Sequence, residues 1–280
     1  MTPSRKRPSV RRRSASTSRR PRKRLARRAY GWIPDLPDHR DYLYRALRPV
    51  PGILPPAVDL RTLCSSVEDQ WRLGSCTANA LVGALELLEN KDKPPSFVDL
   101  SRLFVYYNER LLEHSVANDS GAMLRDGVKT LTKQGVCTES LWPYVVGKFA
   151  ARPPASCYKD ALNHRVTTYH RILTLDEMFA CLAEGYPFVF GFTVYESFES
   201  APVAKTGVVP MPSSGEQVLG GHAMTVVGYQ ESEKRFIVRN SWGSSWGMSG
   251  YCTMPYEYLA DRGLSDDFWT LRQMMENSKQ

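Results

Sequence analysis

The spacing of apolar residues in the first half of the chain predicts a set of helices. Between residues 76 and 90, apolar side chains recur every three or four positions, as they do on the buried face of an amphipathic helix. Similar patterns at residues 101–113 and 123–134 predict two further helices, the second of which ends at Gly135.

The second half of the chain has the pattern of strands. Short runs of β-branched and aromatic residues, bounded by glycine, proline and polar residues, predict strands at residues 186–194, 223–229, 236–240 and 251–254. The expected fold class is therefore α+β, with a helical part at residues 57–165 and a β part at residues 166–280.

Ahead of this body, residues 30–56 have the composition of an extended segment. Six prolines, at positions 34, 37, 49, 51, 55 and 56, forbid a continuous helix. Trp32, Tyr42 and Tyr44 are nevertheless too apolar for a simple linker, because exposed rings would lose the free energy gained by burial. We therefore expect this strip to lie in a groove on the folded body.

Charge is distributed unevenly along the chain. It has 37 Lys and Arg residues against 29 Asp and Glu residues, a formal net charge of +8. Thirteen of the basic residues lie within residues 1–30, which contain no acidic residue. We predict that residues 1–29 form a disordered basic arm, which is either a solvated tail or a segment that attracts a nucleotide or another polyanion.

Composition excludes several classes of protein. With 42% hydrophobic residues, the chain can bury a sizeable core and is not disordered throughout. No apolar run approaches the roughly 18 residues of a membrane span, and the first residues lack the apolar stretch of a secretory signal. We expect a cytoplasmic monomer by default, with export by a non-classical route left open. No metal-ligand spacing or phosphate-binding loop indicates a cofactor.

The candidate nucleophile is Cys76, which follows Ser75 at the predicted start of a helix. Unpaired N–H groups and the helix dipole favour a thiolate at such a position. His222 precedes a strand-like run and is the candidate basic partner. Asn240 ends the next predicted strand and would lie beside His222 if the two strands are antiparallel neighbours. Trp242 could then shield their hydrogen bond from water.

These residues and their spacing resemble the papain family of cysteine peptidases. Gln70 precedes Cys76 by six positions, as the oxyanion-hole glutamine of the family precedes its nucleophile. His222 follows Cys76 by 146 residues, within the interval of about 130–150 that is typical of the family. The run from Asn240 to Gly243 is similar to the signature around the family's third catalytic residue. The resemblance covers about residues 57–270 and is greatest to bacterial xylellain-type members.

The resemblance implies a two-lobed papain-like fold, with a helical left lobe, an antiparallel β-barrel-like right lobe and an active-site cleft between them. It also implies a cysteine endopeptidase in which Cys76 attacks the peptide carbonyl, His222 transfers the proton and Asn240 orients His222. Gln70 and the backbone N–H of Cys76 would form the oxyanion hole. Proteins or peptides are the expected substrates.

Two glycines are similar to substrate-binding positions of the family. Gly121 resembles the glycine pair that lets a substrate backbone lie along the cleft, and Gly221 stands where many relatives carry Asp in the second substrate pocket. This pocket should be roomy and should tolerate an apolar residue two positions before the scissile bond. Residues 30–50 can reach such a cleft, so we expect them to act as an intramolecular inhibitor of a zymogen-like enzyme.

The chain departs from the family beside its nucleophile. Leu73 stands where the family signature has a Cys, and Thr77 stands where it has an aromatic residue, so the usual disulfide beside the nucleophile cannot form. Disulfide pairing among the remaining cysteines is left open: Cys64, Cys137, Cys157, Cys181 and Cys252. Cys181 and Cys252 are expected in the core, and Cys137 with Cys157 is the expected bridge if one exists.

An alternative of a different class is a catalytically silent papain-like binding module that acts through its basic arm. The presence of Gln70, Cys76, His222 and Asn240 argues against this alternative, because a decayed site rarely keeps all four roles.

Overall fold

A computed structural model describes residues 29–44, 54–92 and 97–274, so the predicted basic arm lies almost entirely outside the described residues. Seven helices and seven strands are described. The helices are α1 (Cys76–Asp92), α2 (Arg102–Leu112), α3 (Leu124–Lys133), α4 (Ala155–Ala161), α5 (Leu175–Ala183), α6 (Ala201–Thr206) and α7 (Tyr256–Ala260). The strands are β1 (Ala57–Asp59), β2 (Val166–Arg171), β3 (Phe188–Tyr195), β4 (Val218–Gln230), β5 (Arg235–Arg239), β6 (Tyr251–Pro255) and β7 (Ser265–Met274).

The strands form one antiparallel sheet. Their order is β2, β7, β3, β4, β5 and β6, and β1 pairs with β4. The fold class is α+β, as predicted, but the sheet is open rather than closed into a barrel. Within the described residues, β2 and β6 are the two ends of the strand order.

Helix α1 is more deeply buried than an amphipathic helix on a surface. Residues from Cys76 to Leu88 are all buried, since α2 and α3 pack on one side of the helix and β4 and β7 pack on the other. A side chain from the sheet also reaches the helix, because Thr225 Oγ1 donates a hydrogen bond to the carbonyl of Ala80 at 2.9 Å. Helix α1 is thus held firmly between the helical and sheet parts, and its first residue is Cys76.

The protein has two cores. The core on the sheet side is rich in aromatic rings, including Phe188, Phe190, Phe236 and Phe268. The core on the helical side contains the inner faces of α1, α2 and α3, together with sheet residues such as Trp269. The body is therefore two-lobed, although β7 contributes side chains to both cores.

All six cysteines are free thiols in this structure. Cys181 in α5 and Cys252 in β6 are buried in the core, as predicted. Cys137 and Cys157 are also buried, and their side chains are in hydrogen-bonding contact without forming a disulfide. Burial, followed by the neighbouring Cys157, raises the pKa of the Cys137 thiol.

No helix in the described part of the chain is long and apolar enough to cross a membrane.

Candidate active site

Cys76 is the first residue of α1 and is completely buried, with 0% of its surface exposed. Backbone N–H groups of Ala223, Gly31 and Thr77 hydrogen-bond to its sulfur. The residue before it, Ser75, is fixed by a 2.6 Å hydrogen bond between its hydroxyl and that of Tyr144. The sulfur therefore lies between the start of α1 and the strand that carries His222.

His222 and Asn240 lie side by side at the same end of two paired strands. His222 is in β4, which runs antiparallel to β5, and Asn240 directly follows β5. Their side chains meet at 2.9 Å between His222 Nε2 and Asn240 Oδ1, and the same oxygen accepts the N–H of Ser241 at 2.8 Å. A carbonyl oxygen only accepts hydrogen bonds, so Nε2 carries the proton and Nδ1 is the nitrogen that can accept one.

Aromatic rings enclose the imidazole of His222. The ring of Trp242 lies 5.0 Å from it between centroids, and that of Phe192 lies 5.8 Å away. Trp242 and Asn240 are both buried, so water has little access to the hydrogen bond between His222 and Asn240. The sequence analysis predicted that Trp242 would shield this hydrogen bond, but it did not predict the contribution of Phe192.

Gln70 links the two sides of the site. Its backbone N–H donates to the carbonyl of Ser241 at 2.9 Å, and its side-chain Oε1 accepts from Ser241 Oγ at 2.5 Å. These bonds fix the orientation of the amide. The Nε2 group donates to the carbonyl of Leu73 at 2.9 Å and approaches the carbonyl of Ala29 at 3.3 Å.

Residues 29–44, here called the covering segment, run through the cleft beside these residues. The carbonyl of Gly31 accepts the N–H of Ala122 at 2.7 Å, while the N–H of Trp32 donates to the carbonyl of Gly221 at 3.0 Å. The aromatic ring of Tyr30 lies 6.2 Å from that of His222, in an edge-on arrangement. The segment thus hydrogen-bonds to both walls of the cleft while passing over His222.

Glycine at position 121 permits this close approach. Gly121 has a φ of +77°, and a Cβ built there would lie 2.1 Å from the carbonyl oxygen of Gly31. A Cβ built on Gly31 would itself lie 1.7 Å from the carbonyl oxygen of Gly74. Gly121 and Gly221, the two predicted substrate-binding residues, therefore both contact a peptide backbone in this structure, namely that of the covering segment.

A cluster of charged residues holds the other end of the covering segment. Asp41 accepts hydrogen bonds from Arg125 Nη2 at 2.7 Å and from Arg171 Nη1 at 3.0 Å, and all three side chains are largely buried. Asp35 accepts the indole N–H of Trp269 at 2.9 Å. We call this cluster the anchor. The sequence analysis missed it; its clue was the set of aspartates in an otherwise apolar strip.

Thr77, which departs from the family signature, has a buried partner. Its hydroxyl donates to Glu109 Oε2 at 2.8 Å, and both side chains are inaccessible to water. Burial raises the pKa of Glu109 well above its ordinary value, and the hydrogen bond from Thr77 opposes the shift. A hydrogen bond from α1 to α2 thus stands where the family has an aromatic ring.

The covered cleft changes the acidity of Cys76, the candidate nucleophile. Burial raises the pKa of the Cys76 thiol to about 12, although N–H groups of Ala223 and Gly31 partly oppose this effect. The helix N-terminus predicted a thiolate, but desolvation outweighs it while the covering segment is in place. Cys76 is therefore a neutral thiol in this state.

Comparison with known proteins identifies the class to which this cleft belongs. The model of the papain family of cysteine proteases matches residues 54–267, which include Gln70, Cys76, His222 and Asn240. The chain belongs to the papain family, and it is a cysteine protease, a hydrolase.

Two relatives are similar along most of their length. Xylellain, a cysteine protease from Xylella fastidiosa, has a solved structure that is 44% identical; the match covers 89% of this chain and 98% of that one, with a TM-score of 0.83. A peptidase C1-like protein of Acanthamoeba polyphaga mimivirus is 43% identical over 274 residues, which are 89% of this chain and 88% of the viral protein.

More distant relatives extend the comparison. Cysteine proteinase 3 of Entamoeba histolytica is 28% identical, and the match covers 70% of this chain and 61% of that protein. The bromelain protease from Ananas comosus, 21% identical with a TM-score of 0.59 over 77% of this chain and 98% of that one, shares the fold.

Proposed function

We propose that this protease is an endopeptidase whose nucleophile is Cys76, whose acid–base group is His222 and whose orienting residue is Asn240. The observation that carries the proposal is the meeting of three separate chain regions at one point. The start of α1 brings Cys76 against the backbone of Ala223, and the β4–β5 pair brings His222 within 2.9 Å of Asn240. This is the arrangement that nucleophilic catalysis by a thiolate requires.

The reaction would proceed through an acyl-enzyme. The Cys76 thiolate attacks the peptide carbonyl carbon, a C–S bond forms, and protonated His222 donates its proton to the leaving amine as the C–N bond breaks. Water then attacks the thioester while His222 accepts its proton, and the C–S bond breaks to release the acid. Asn240 keeps the imidazole oriented through both steps.

Gln70 is proposed to stabilise the oxyanion with the backbone N–H of Cys76. The proposal is supported by the bond from Ser241 Oγ to Gln70 Oε1, which turns the Nε2 donor towards the cleft. A carbonyl oxygen, that of Ala29, already lies 3.3 Å from this donor. A donor fixed in advance stabilises developing charge without reorganisation, which is the basis of catalysis by an oxyanion hole.

We further propose that the covering segment inhibits the enzyme to which it belongs. It occupies the space between Gly121 and Gly221 that a substrate backbone would need, and Cys76 has no exposed surface beneath it. A neutral thiol with a pKa of about 12 is also a weak nucleophile. Activity would therefore require the segment to leave the cleft. The predicted inhibitory range, residues 30–50, overlaps the described part of this segment.

The basic arm and its predicted nucleotide or polyanion partner lie outside the described residues, apart from Ala29. Binding of such a partner stays a prediction, and so does a monomeric state. The alternative of a silent binding module is not favoured, because Gln70, Cys76, His222 and Asn240 come together in one site.

The test uses one folded protein before and after release of the segment. A recognition sequence for a highly specific protease is inserted within residues 45–53, and hydrolysis of fluorogenic peptides is measured before the cut and again after the N-terminal fragment has been removed by size-exclusion chromatography; this fragment-free form is the cut protein in all later experiments. We expect hydrolysis to rise after the cut and to vanish in Cys76→Ala. The uninserted chain, treated with the same protease, is the control. Hydrolysis that does not change on cutting would reject the inhibition, and activity in Cys76→Ala would reject the nucleophile.

A further inference from the structure

The indole of Trp32 fills a side-chain pocket in the wall of the cleft. A Cβ built on Gly191 in β3 would lie 1.9 Å from Trp32 Cε2, and one built on Gly221 in β4 would lie 2.8 Å from Trp32 Cε3. Gly191 pairs with Ala223, and Gly221 pairs with Thr193, so the two glycines are diagonal neighbours on the same face of the strand pair. The absence of side chains at both positions therefore creates the space that the indole occupies.

A buried carboxylate lies at the inner end of this pocket. Asp267 is 1% exposed, and its Oδ2 accepts the indole N–H of Trp32 at 3.1 Å. The same oxygen accepts the backbone N–H of Asp35 at 2.7 Å, while Oδ1 accepts Arg171 Nη2 at 2.9 Å. Both donors to Oδ2 belong to the covering segment, whereas the donor to Oδ1 belongs to the body.

Release of the covering segment would therefore leave Asp267 half satisfied. Oδ1 keeps Arg171, but Oδ2 loses Trp32 and Asp35 together. Water can reach Oδ2 once the segment has left, but a ligand that displaces this water without donating a hydrogen bond leaves the acceptor unsatisfied in a filled pocket, which is costly; a ligand that brings an N–H group to Oδ2 therefore gains more than one that does not. Since Arg171 already neutralises the carboxylate, a second cation gains little, and an uncharged donor of indole size fits the space best.

We propose that Asp267 determines specificity by selecting substrates with tryptophan in the pocket that Trp32 now fills. The inference rests on the proposed function and on the assignment of Gly221 to the second substrate pocket. The sequence analysis expected this pocket to tolerate an apolar residue two positions before the scissile bond. The inference is narrower, because it requires a side chain at that position that donates a hydrogen bond. The space between Gly191 and Gly221 selects the size of the ring, and Asp267 Oδ2 selects its N–H group.

The test compares two side chains that differ only in the donor. The protein cut within residues 45–53 is given peptides that carry either tryptophan or 3-benzothienylalanine, a sulfur isostere without an N–H, two positions before the scissile bond. At pH 8, where Asp267 is mainly ionised, we expect kcat/KM to be higher for tryptophan by about tenfold to a hundredfold, the usual value of a hydrogen bond to a charged acceptor. Equal values would overturn the inference while leaving the protease intact.

Asp267→Asn supplies a second comparison. Asparagine tolerates the φ of +57° at this position, and Arg171 should hold its amide oxygen, so the NH₂ group would face the pocket. The NH₂ group of the asparagine and the indole N–H are both donors and cannot hydrogen-bond to each other. We therefore expect the ratio of kcat/KM for the tryptophan peptide to that for the benzothienylalanine peptide to fall to about one or below. A preference that persists in this variant would contradict the role of Asp267.

A binding measurement keeps the inference testable if the cut protein hydrolyses no peptide. A synthetic peptide with the sequence of residues 29–44 is titrated into the cut protein by calorimetry, and its analogue has 3-benzothienylalanine at position 32. We expect the analogue to bind at least about tenfold more weakly. Equal affinities would overturn the inference without reference to catalysis, whereas loss of hydrolysis alone would count against the proposed function.

Discussion

The proposed catalytic residues and the covering segment share one cleft but are held there in different ways. Gln70, His222 and Asn240 are fixed by short hydrogen bonds to neighbours in the body and by surrounding aromatic rings. The covering segment passes over them with Tyr30 and Gly31, yet its buried ionic contacts are at the anchor, where Asp41 meets two arginines.

The contacts that orient the proposed catalytic residues therefore differ from the contacts that hold the covering segment. The catalytic residues belong to the body and should keep their geometry when the segment leaves, because their hydrogen bonds to one another do not pass through it. The covering segment, by contrast, is held both at the anchor, away from Cys76, and by Tyr30 and Gly31 beside it. Substitutions in the two sets should therefore change activity in opposite directions, and the following experiments exploit that contrast.

The largest effect is expected for Gln70→Ala in the cut protein. Loss of one oxyanion-hole donor costs about 10² to 10³ in kcat in acyl-transfer enzymes, because charge on the oxyanion is then less well stabilised. Steady-state hydrolysis of a fluorogenic peptide measures the loss. Gln230→Ala, at the exposed end of β4, is the matched control and should leave kcat unchanged. A Gln70→Ala enzyme with normal kcat would remove Gln70 from the proposed site.

Asp41→Asn should have the next largest effect, in the uncut chain and in the opposite direction. It breaks the charge pairing with both Arg125 and Arg171 in a poorly hydrated cluster, where loss of one partner is costly. We expect peptide hydrolysis to rise by about tenfold to a hundredfold, since the covered state is selectively destabilised. Arg40→Ala is the control, because Arg40 is exposed and its ion pair is with Asp38 of the same segment.

Equal rates of peptide hydrolysis for uncut Asp41→Asn and uncut Arg40→Ala, with a higher rate for the cut protein, would show that the anchor does not hold the covering segment in place.

Tyr30→Ala should activate the uncut chain by a smaller factor, about threefold to tenfold, because it removes one ring packed on His222 and Trp242 but leaves the anchor intact. The same hydrolysis assay measures this rise. Leu36→Ala is the control, since Leu36 lies on the same segment and is 70% exposed. A rise for Tyr30→Ala that exceeds the one for Asp41→Asn would reverse the comparison between the two ends of the segment.

The smallest effect is expected from pH. Burial, and then the charge of Asp35, raises the pKa of Asp267 to about 7, and Arg171 opposes the shift. Burial likewise raises the pKa of Asp35, which Arg125, Trp269 and Arg171 oppose. Groups with raised pKa values stabilise the covered state at low pH, and the contribution of Asp267 is lost as pH rises through about 7.

We therefore expect the ratio of cut to uncut activity to fall by about threefold between pH 6 and pH 8. The covering segment also raises the pKa of the Cys76 thiol, which contributes a fall of the same sign, so the pH dependence of the ratio is compared with that of Asp267→Asn, which lacks the titrating carboxyl. A constant ratio would indicate that these carboxyls do not contribute to covering, and a rising ratio would contradict the sign.

The sequence predicted the parts of this structure that depend on local pattern. The apolar spacing after Cys76 predicted α1, and two strand-like runs with a short connection predicted that His222 and Asn240 would be neighbours. Helix α2 and helix α3 also match their predicted spans within one or two residues. Periodicity and turn length encode these features directly.

Features that depend on distant partners could not be read in this way. Strand β7 lies between β2 and β3 in the sheet. Two adjacent aspartates near its start, Asp266 and Asp267, are more typical of a polar loop than of a strand. The anchor joins Asp41 to Arg125 and Arg171, which are 84 and 130 residues away. A single sequence does not show which of its many charged residues pair, because any arginine is a chemically acceptable partner for any aspartate.

The central claim is that a competent nucleophile lies beneath a removable cover. Intact mass measured over time, with a thiol-directed epoxide inhibitor of peptidases, tests it directly in the chain with the inserted site. We predict one adduct on Cys76, formed at least about 100-fold faster after the cut, when the thiol regains water and can ionise. The Cys76→Ala chain should remain unlabelled. Equal labelling rates before and after the cut, or an adduct in Cys76→Ala, would contradict the account.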